Sequence, residues 1–183
     1  DHTVSGETFR IDECTECTLR FTQDTPAAEN ISQYYKSEKY ISHSNTSKGL
    51  INRLYQMIRK RTMISKRGMV EKISGLRSGA LLDVGSGTGT FVKTMKNRGW
   101  HVTGLEPDED ARSLAKKEYN LLLSDTENIF KLPEKSFDVI TLWHVLEHVH
   151  ELSSYIQLLS SLLKENGRIF IAVPNYTSYD ARV

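Results

Sequence analysis

Short apolar runs alternate with segments of helical periodicity from Ala80 toward the end of the chain. The predicted strands are ALLDV, HVTGLE, LLLS, FDVITLW and RIFIAV, and the predicted helices span residues 88–97, 108–117 and about 152–163. Strands separated by helices favour a parallel sheet with right-handed crossovers. We therefore predict an α/β fold with a Rossmann-like, doubly wound and mainly parallel sheet.

The part of the chain before residue 79 has a different pattern. Residues 7–21 resemble a strand pair, Pro26 marks a turn, and residues 27–74 are mostly helical. Five apolar residues recur there at helical spacing and predict an amphipathic helix: Leu50, Ile51, Leu54, Met57 and Ile58. We expect three segments. Residues 1–26 form a partial Cys-rich β segment, residues 27–78 form a helical N-terminal cap, and residues 79–183 form the core.

The composition is that of a globular protein. Of the 183 residues, 38% are hydrophobic and 26% are charged. No apolar run approaches the roughly 20 residues of a membrane helix, and the first residues lack the features of a signal peptide. We expect a cytoplasmic protein without membrane contact. Because the chain does not begin with methionine, we also expect a fragment or a trimmed protein.

The basic residues are concentrated in one segment. Residues 39–70 carry eight Lys or Arg and no Asp or Glu, although the formal net charge of the chain is only +1. One interpretation is a solvated basic face, and the other is a surface that attracts an anionic ligand or partner. On the second interpretation, Arg53 and Lys66 are examples of residues that would face an anionic acceptor.

The two cysteines form a single C-x-x-C pair, Cys14 and Cys17. Two thiols supply half of a tetrahedral zinc site, so the pair is either part of a zinc knuckle or two reduced thiols in a small β element. Redox chemistry is a third alternative. It is disfavoured because a redox pair normally opens a helix after a strand, whereas this pair lies in a predicted strand pair.

The first core strand ends in DVGSGTG, which predicts a sharp turn into a helix. Gly85, Gly87 and Gly89 allow positive φ and a close approach of a ligand to the backbone. A dinucleotide fingerprint would place its third glycine at Thr90, one residue later than Gly89. Asp83, just before the turn, would also repel a pyrophosphate and attract an ammonium group.

Acidic residues follow the next two predicted strands. Glu106 ends the second strand, where a carboxylate can accept both hydroxyls of a ribose, and Asp125 follows the third, where it can accept from an exocyclic amine. Trp143 and His144 end the fourth strand at the same crevice. The alternatives are a simple strand terminus at Glu106 and a loop cap at Asp125. The ordered set favours a nucleoside-binding site.

The runs DVGSGTG, GLEP, SDTENI and FDVITLWHVLEHV resemble the successive motifs of class I S-adenosylmethionine-dependent methyltransferases, especially the ubiquinone-biosynthesis O-methyltransferase branch. The resemblance implies S-adenosyl-L-methionine as cofactor and S-adenosyl-L-homocysteine as product. It also implies methyl transfer to a small-molecule or carrier-linked acceptor, with O-methylation favoured. The basic segment would suit an anionic acceptor.

The same resemblance assigns the site residues. The glycine turn would lie along the methionine part of the cofactor, with Asp83 near its ammonium group. Glu106 would bind the ribose, and Asp125 and Thr126 would lie at the edge of the adenine. The complete cofactor-binding set that it implies is Asp83, Gly85, Ser86, Gly87, Gly89, Glu106, Pro107, Asp125, Thr126 and Trp143.

The run WHVLEHVH contains the spacing H-x-x-E-H, which some zinc peptidases use. A predicted buried strand ends directly before it, so no uninterrupted metal-binding helix is expected, and we predict no metal at His144, Glu147 and His148. An imidazole titrates near neutral pH and suits removal of a proton from an acceptor hydroxyl. His144 is therefore the candidate catalytic base.

The resembling enzymes continue past the fifth strand with a helix and an antiparallel strand pair, so the core is expected to be C-terminally incomplete. An uncovered strand edge can pair with another chain, which predicts oligomerisation at that edge. The segments CTECTLRFT and ISQYYKSEKY also resemble a bacterial subgroup that carries a Cys-rich segment before the catalytic domain.

Two other classes of protein stay open at this point. An NAD-dependent oxidoreductase would use the same architecture, but the glycine spacing and Asp83 disfavour it. A non-catalytic module would use the basic segment and the C-x-x-C region to contact a carrier protein or nucleic acid, although nucleic acid is not the expected partner.

Overall fold

The computed structural model describes residues 6–26 and 50–179, with the side chains of residues 50–55 excluded. The chain divides into two compact units, residues 1–45 and 46–183. Residues 27–49 of the predicted helical stretch lie outside the described residues. The predicted segment boundaries after residues 26 and 78 stay predictions.

The first unit contains a β-hairpin. Strands β1 (Ile11–Glu13) and β2 (Arg20–Thr22) pair antiparallel. Cys14 and Cys17 lie in the connection between them, where the backbone N–H of Cys14 donates to the carbonyl of Leu19 at 2.8 Å. The strand pair predicted from the sequence is confirmed.

The second unit contains alternating helices and strands. Its helices are α1 (Leu50–Ser74), α2 (Thr90–Lys96), α3 (Glu109–Tyr119) and α4 (Leu152–Leu162). Its strands are β3 (Ala80–Val84), β4 (His101–Leu105), β5 (Phe137–Trp143) and β6 (Leu163–Ala172). Short 3-10 helices span Thr126–Lys131 and Leu146–His148. Among the described residues, no helix is both long and apolar enough to cross a membrane.

Strands β3 to β6 form one parallel sheet in the order β4-β3-β5-β6. The chain moves outward from β3 to β4 and then crosses back to β5, so the strand order reverses between β3 and β5. Ligands of open α/β sheets bind at such a reversal, beyond the carboxyl ends of the strands. The predicted doubly wound, mainly parallel sheet is confirmed.

Apolar side chains cover both faces of this sheet. One face packs against α4, through Leu82, Val84, Ile140, Leu142, Leu159 and Leu162. The other face packs against α1 and α2, through Val70, Leu81, Phe91, Met95 and Val139. Successive residues of a strand point to opposite faces, so Asp83 and Thr141 lie on the same face as Leu81 and Val139, toward α1.

The strand predicted at LLLS, residues 121–124, is not formed in the described chain. This part of the prediction was wrong: a single parallel bridge joins Leu105 to Ser124. Asn120 ends α3 in the left-handed conformation, and the side chain of Leu122 is 79% exposed. The segment therefore meets the sheet only at its last residue, and its apolar composition alone suggested a longer strand.

Helix α1 is present, but its buried side is not the predicted one. Met57 and Ile58 are each 55% exposed, whereas Val70 is fully buried and Met63 packs beside it. The connection from α1 to β3 is short, so the last turns of the helix fix which side faces the sheet. As a consequence, the basic residues Arg59 and Lys66 lie on the partly buried side.

Candidate functional site

The glycine turn after β3 is built by backbone contacts with β4. The N–H groups of Gly85 and Ser86 both donate to the carbonyl of Leu105, at 2.8 and 2.9 Å. Gly85 has φ 72°, and a Cβ atom there would lie 2.5 Å from Cγ2 of Val145. Only glycine combines that backbone conformation with that close approach. Gly87 and Gly89 also have positive φ, of 52° and 75°.

Asp83 lies beneath this turn and is almost completely buried. The Thr141 hydroxyl donates to Asp83 Oδ1 at 2.6 Å, and the Ser86 hydroxyl donates to the Asp83 backbone carbonyl at 2.9 Å. Burial raises the pKa of the Asp83 carboxyl to about 6, against stabilisation of the carboxylate by Thr141, Ser86 and the positive charge of Lys66. A cation brought to Asp83 would therefore be held by a poorly solvated carboxylate.

Glu106, at the end of β4, is also buried and faces the glycine turn. Its Oε2 accepts from the Gly87 N–H at 2.6 Å, and its Oε1 accepts from the Asp108 N–H at 3.0 Å. The Glu106 carboxylate therefore contacts the glycine turn directly. Binding of ribose hydroxyls by Glu106 stays a prediction.

Asp125 caps the 3-10 helix that follows it. Its Oδ1 accepts from the Glu127 N–H at 3.0 Å and lies 3.5 Å from the Thr126 hydroxyl. Its Oδ2 lies 3.1 Å from Nη1 of Arg112. The loop-cap interpretation of Asp125 is thus confirmed, while contact with an adenine amine stays a prediction.

Arg112, on α3, was not singled out from the sequence. Its Nη1 donates to the carbonyls of Glu106 and Pro107, at 2.6 and 2.7 Å, as well as to Asp125. One guanidinium group therefore joins the end of β4 to the segment that carries Asp125. An arginine six residues after Glu106 on a predicted helix gives no sequence signal for this contact.

Trp143 and His144 have different environments although they are adjacent. The Trp143 ring packs edge-to-face on Phe91, with 5.6 Å between centroids, and its buried Nε1 has no hydrogen-bond partner among the described residues. The His144 side chain is 60% exposed, its φ is 62°, and its N–H donates to the carbonyl of Ala172 at 2.8 Å. His144 Nδ1 lies 3.6 Å from Glu147 Oε1.

Helix α1 adds two cations to these strand ends. Arg59 Nη2 donates to the hydroxyls of Thr88 and Thr90 at 2.8 Å each, and Lys66 Nζ lies 4.3 Å from the centroid of the Trp143 ring. Burial lowers the pKa of Lys66, while the charge of Asp83 opposes that shift. The sequence placed both cations in a basic segment but could not show that they face the crevice.

Among the described residues, no three His, Cys, Asp or Glu side chains are grouped so that they could hold a metal ion. The absence of metal at His144, Glu147 and His148 stays a prediction. In the hairpin, backbone N–H groups of Cys17 and then Glu16 lower the pKa of the Cys14 thiol. The three alternatives for Cys14 and Cys17 remain open.

Together, the turn and the strand ends suit a nucleoside that carries an amino-acid group. The glycine turn allows a close backbone approach, buried Asp83 favours a cation, and Glu106 offers a carboxylate beside Gly87. The fold and this turn are those of the class I S-adenosylmethionine-dependent methyltransferases.

A comparison with sequence families agrees with this class. The sequence profile of the methyltransferase domain family matches residues 52–183, which is more than half of the chain. The chain therefore belongs to the methyltransferase domain family, whose cofactor is S-adenosylmethionine.

Curated relatives of the chain include ubiquinone biosynthesis O-methyltransferases from several bacteria. The Glaesserella parasuis enzyme is 34% identical over 119 residues, which are 59% of this chain and 50% of that protein. The Vibrio cholerae enzyme is 34% identical over 114 residues, covering 58% of this chain and 46% of that protein. The matched part spans about half the length of these curated relatives.

Solved structures show the same fold. An S-adenosylmethionine-dependent methyltransferase from Archaeoglobus fulgidus has a TM-score of 0.53 and 25% identity, and the match covers 68% of this chain and 60% of that one. A protein from Pyrococcus horikoshii OT3 has a TM-score of 0.54 and 21% identity, over 61% of this chain and 57% of that one.

Proposed function

We propose that this chain transfers the methyl group of S-adenosylmethionine to an oxygen atom of a small-molecule or carrier-linked acceptor. The observation that carries this proposal is the buried pair of carboxylates, Asp83 and Glu106, on either side of the glycine turn. The names of the curated relatives support oxygen as the methylated atom. No observation on the described residues favours an NAD-dependent oxidoreductase or a non-catalytic module.

Different residues of the chain would bind different parts of the cofactor. Asp83 would bind the ammonium group, and the backbone of Gly85 to Gly89 would lie along the amino-acid part of the cofactor. Glu106 would accept hydrogen bonds from the ribose hydroxyls. Asp125 would lie at the adenine edge, where Arg112 fixes one of its oxygens. When bound, S-adenosylmethionine supplies a methyl group that is already activated on a sulfonium.

Catalysis by the protein would consist of alignment and proton removal. His144 would accept the hydroxyl proton of a bound acceptor on its Nε2, which would leave the acceptor oxygen ready to take the methyl group that the cofactor supplies. Glu147 faces the opposite ring nitrogen, Nδ1, at 3.6 Å, so it would stabilise the imidazolium that forms. The exposure of His144 leaves Nε2 open to an acceptor that enters from solvent.

The acceptor's charge and the assembly of the chain belong to the same proposal. The cations of α1 support an anionic acceptor, since Arg59 and Lys66 both lie on the crevice side of the helix. On β6, the side chains of Ile169 and Ile171 are partly exposed, which supports pairing or packing of another chain segment there.

The proposed reaction can be tested with labelled S-adenosylmethionine and a panel of phenols, catechols and matched amines. We expect methyl ethers among the products, identified by mass spectrometry, and a lower kcat with little change in KM for His144→Ala. His101→Ala is the matched control, because His101 begins β4 at the opposite end of the sheet. Exclusive methylation of the amines would contradict oxygen as the target.

A further inference from the structure

The hairpin of the first unit, formed by β1 and β2, has no apolar core among its described residues. Each strand is three residues long, and none of the residues 6–26 is buried. The apolar side chains of Ile11, Leu19 and Phe21 are 65%, 58% and 44% exposed. A two-stranded hairpin of this size is marginally stable in water, and small units without a sufficient core commonly depend on disulfides or a bound metal ion. Both cysteines are free thiols, so a disulfide does not stabilise this hairpin.

The connection between the two strands is closed around Cys14 and Cys17. The Cys14 N–H donates to the carbonyl of Leu19 at 2.8 Å, and the Cys14 carbonyl accepts from the Thr18 N–H at 2.9 Å. Thr18 has φ 59°, and its hydroxyl donates to the Cys17 carbonyl at 2.7 Å. A β-branched residue rarely adopts this left-handed conformation, so specific contacts, and not a glycine, set the turn. Both cysteines therefore have defined positions on one tight loop.

The two thiols of this loop lie in contact with each other. The N–H groups of Cys17 and Glu16 donate to the Cys14 sulfur, and the Cys17 thiol is hydrogen-bonded to the same sulfur. N–H groups that donate to a sulfur also stabilise it as a metal-bound thiolate. Two sulfurs on one tetrahedral zinc ion lie about 3.8 Å apart, because each Zn–S bond is ~2.3 Å long. Thiols in mutual contact therefore need little movement to share one ion, and Cys17 is exposed to solvent while Cys14 is partly exposed.

The surroundings of the two thiols favour metal binding over thiol–disulfide chemistry. A redox C-x-x-C pair normally opens a helix, whose N-terminus favours the thiolate. The residues after Cys17 lead instead into β2, which is a strand. Cysteines separated by two residues are also the usual ligand spacing of structural zinc sites. Two inert thiols, by contrast, would leave the hairpin without the usual sources of stability for a unit of this size.

We propose that Cys14 and Cys17 are two of the four ligands of a structural Zn²⁺ site, and that a second pair of thiolate or imidazole ligands comes from outside the described residues. Within the described part of the chain, no third His, Cys, Asp or Glu is grouped with the two cysteines. The free energy of metal binding would stabilise the hairpin in place of an apolar core. This inference goes beyond the proposed function and does not depend on it, because the hairpin belongs to the first unit and the strand ends belong to the second.

The test titrates the reduced chain of residues 1–183 with Co²⁺, which occupies tetrahedral zinc sites and, unlike Zn²⁺, absorbs light when thiolates bind it. We expect a thiolate-to-cobalt absorption band that disappears when Zn²⁺ displaces the Co²⁺. Cys14→Ser and Cys17→Ser should each weaken Co²⁺ binding roughly a hundredfold or more, because loss of even the groups behind a metal ligand costs about tenfold to a hundredfold. Glu16→Gln is the matched control, since the loop uses the backbone N–H of Glu16, and it should leave the affinity unchanged.

Amide hydrogen exchange measures whether the ion stabilises the hairpin. We expect Zn²⁺ to slow the exchange of the Thr18 N–H, which is hydrogen-bonded to the Cys14 carbonyl. This protection should be absent from Cys14→Ser. The amides of β3 and β5 belong to the second unit and should exchange equally in all variants, which would show that the fold of that unit is retained.

The endpoint of the titration identifies the source of the second pair of ligands. One ion per two chains, with a dimer in sedimentation, would assign the second pair to the cysteines of another copy. One ion per chain, with weaker binding in a His2→Ala, His43→Ala double variant, would assign it to these two histidines, which lie outside the described residues. The inference is overturned if the reduced chain shows no thiolate-to-cobalt band at millimolar Co²⁺, or if the band persists when both cysteines are replaced by serine.

Discussion

Burial of the Asp83 carboxylate lowers the free energy of unfolding of the ligand-free protein, and a bound cation would offset that loss. The pKa of about 6 in the folded chain lies above the ordinary value of 3.8, so folding takes up a proton in that interval. Stability therefore falls as the pH rises from about 4 through 6, and the full cost is present at neutral pH. Two pKa units correspond to about 3 kcal/mol.

We predict that Asp83→Asn makes the ligand-free protein about 1 to 3 kcal/mol more stable at pH 8, because an amide does not ionise and can still accept from Thr141. Urea unfolding measures the change. The difference between the two proteins should narrow as the pH falls below 6. Equal stability of both at pH 8 would show that the buried carboxylate costs nothing. The same substitution should weaken S-adenosylhomocysteine.

Trp143 and His144 show why neighbours in a sequence can differ in their contacts. The alternation of β5 directs Trp143 toward α1, but the left-handed conformation of His144 turns the chain away from the strand. Their place at the crevice could be predicted from the buried run FDVITLW. The positive φ of His144 could not be predicted from the sequence, since no glycine marks the position.

At the scale of elements, α3 contributes to the site without lining it. Arg112 bonds to the carbonyls of Glu106 and Pro107 and to Asp125, so it fixes the spacing between the end of β4 and the segment that carries Asp125. Because none of these contacts uses the Glu106 carboxylate, Arg112 is a positioning residue.

We predict that Arg112→Met weakens S-adenosylhomocysteine roughly threefold to tenfold, since it releases Asp125 and the end of β4 together. The loss of affinity should be smaller for an inosine analogue, which lacks the amine that Asp125 would recognise. Arg112→Lys should recover little affinity, because an ammonium group lacks the fixed, forked N–H donors of a guanidinium group. Lys116→Met, on the exposed side of α3, is the matched control. Equal losses for both nucleosides would assign Arg112 a purely structural role.

The sequence predictions were most accurate for the elements that are most deeply buried. Strand β5 matched the predicted run FDVITLW at both ends, because a continuous apolar run fits a strand buried on both faces. The run LLLS failed because Leu122 points to solvent. In α1, apolar spacing predicted the helix but not its buried side, which depends on packing against β3.

At the scale of the whole molecule, the positions of the acidic site residues followed from the order of strands. Since parallel strands all end at one edge, Asp83 and Glu106 could be expected near each other, whereas Asp125 follows a segment that only bridges to β4 at Ser124. Their hydrogen-bond partners could not be predicted, because Thr141 and Arg112 come from separate elements that only the folded chain brings together.

We predict no stoichiometric zinc at the H-x-x-E-H spacing. His144 lies directly after β5, and only a short 3-10 helix follows, so His144 and His148 do not lie on one regular α-helix. Elemental analysis of the purified chain measures metal content. Zinc that is bound one per chain and lost in a His144→Ala, His148→Ala double variant would contradict this prediction. Zinc lost instead with Cys14→Ser would belong to the hairpin.

The central claim is that the ends of β3 and β4 bind the cofactor, and isothermal titration with S-adenosylhomocysteine tests it most directly. We expect one ligand per chain, and an affinity loss of roughly 1.5–3 kcal/mol in Glu106→Ala, which removes charge-assisted hydrogen bonds to the ribose. No heat and no thermal shift at millimolar ligand would contradict the account, and unchanged affinity in Glu106→Ala would remove Glu106 from the site.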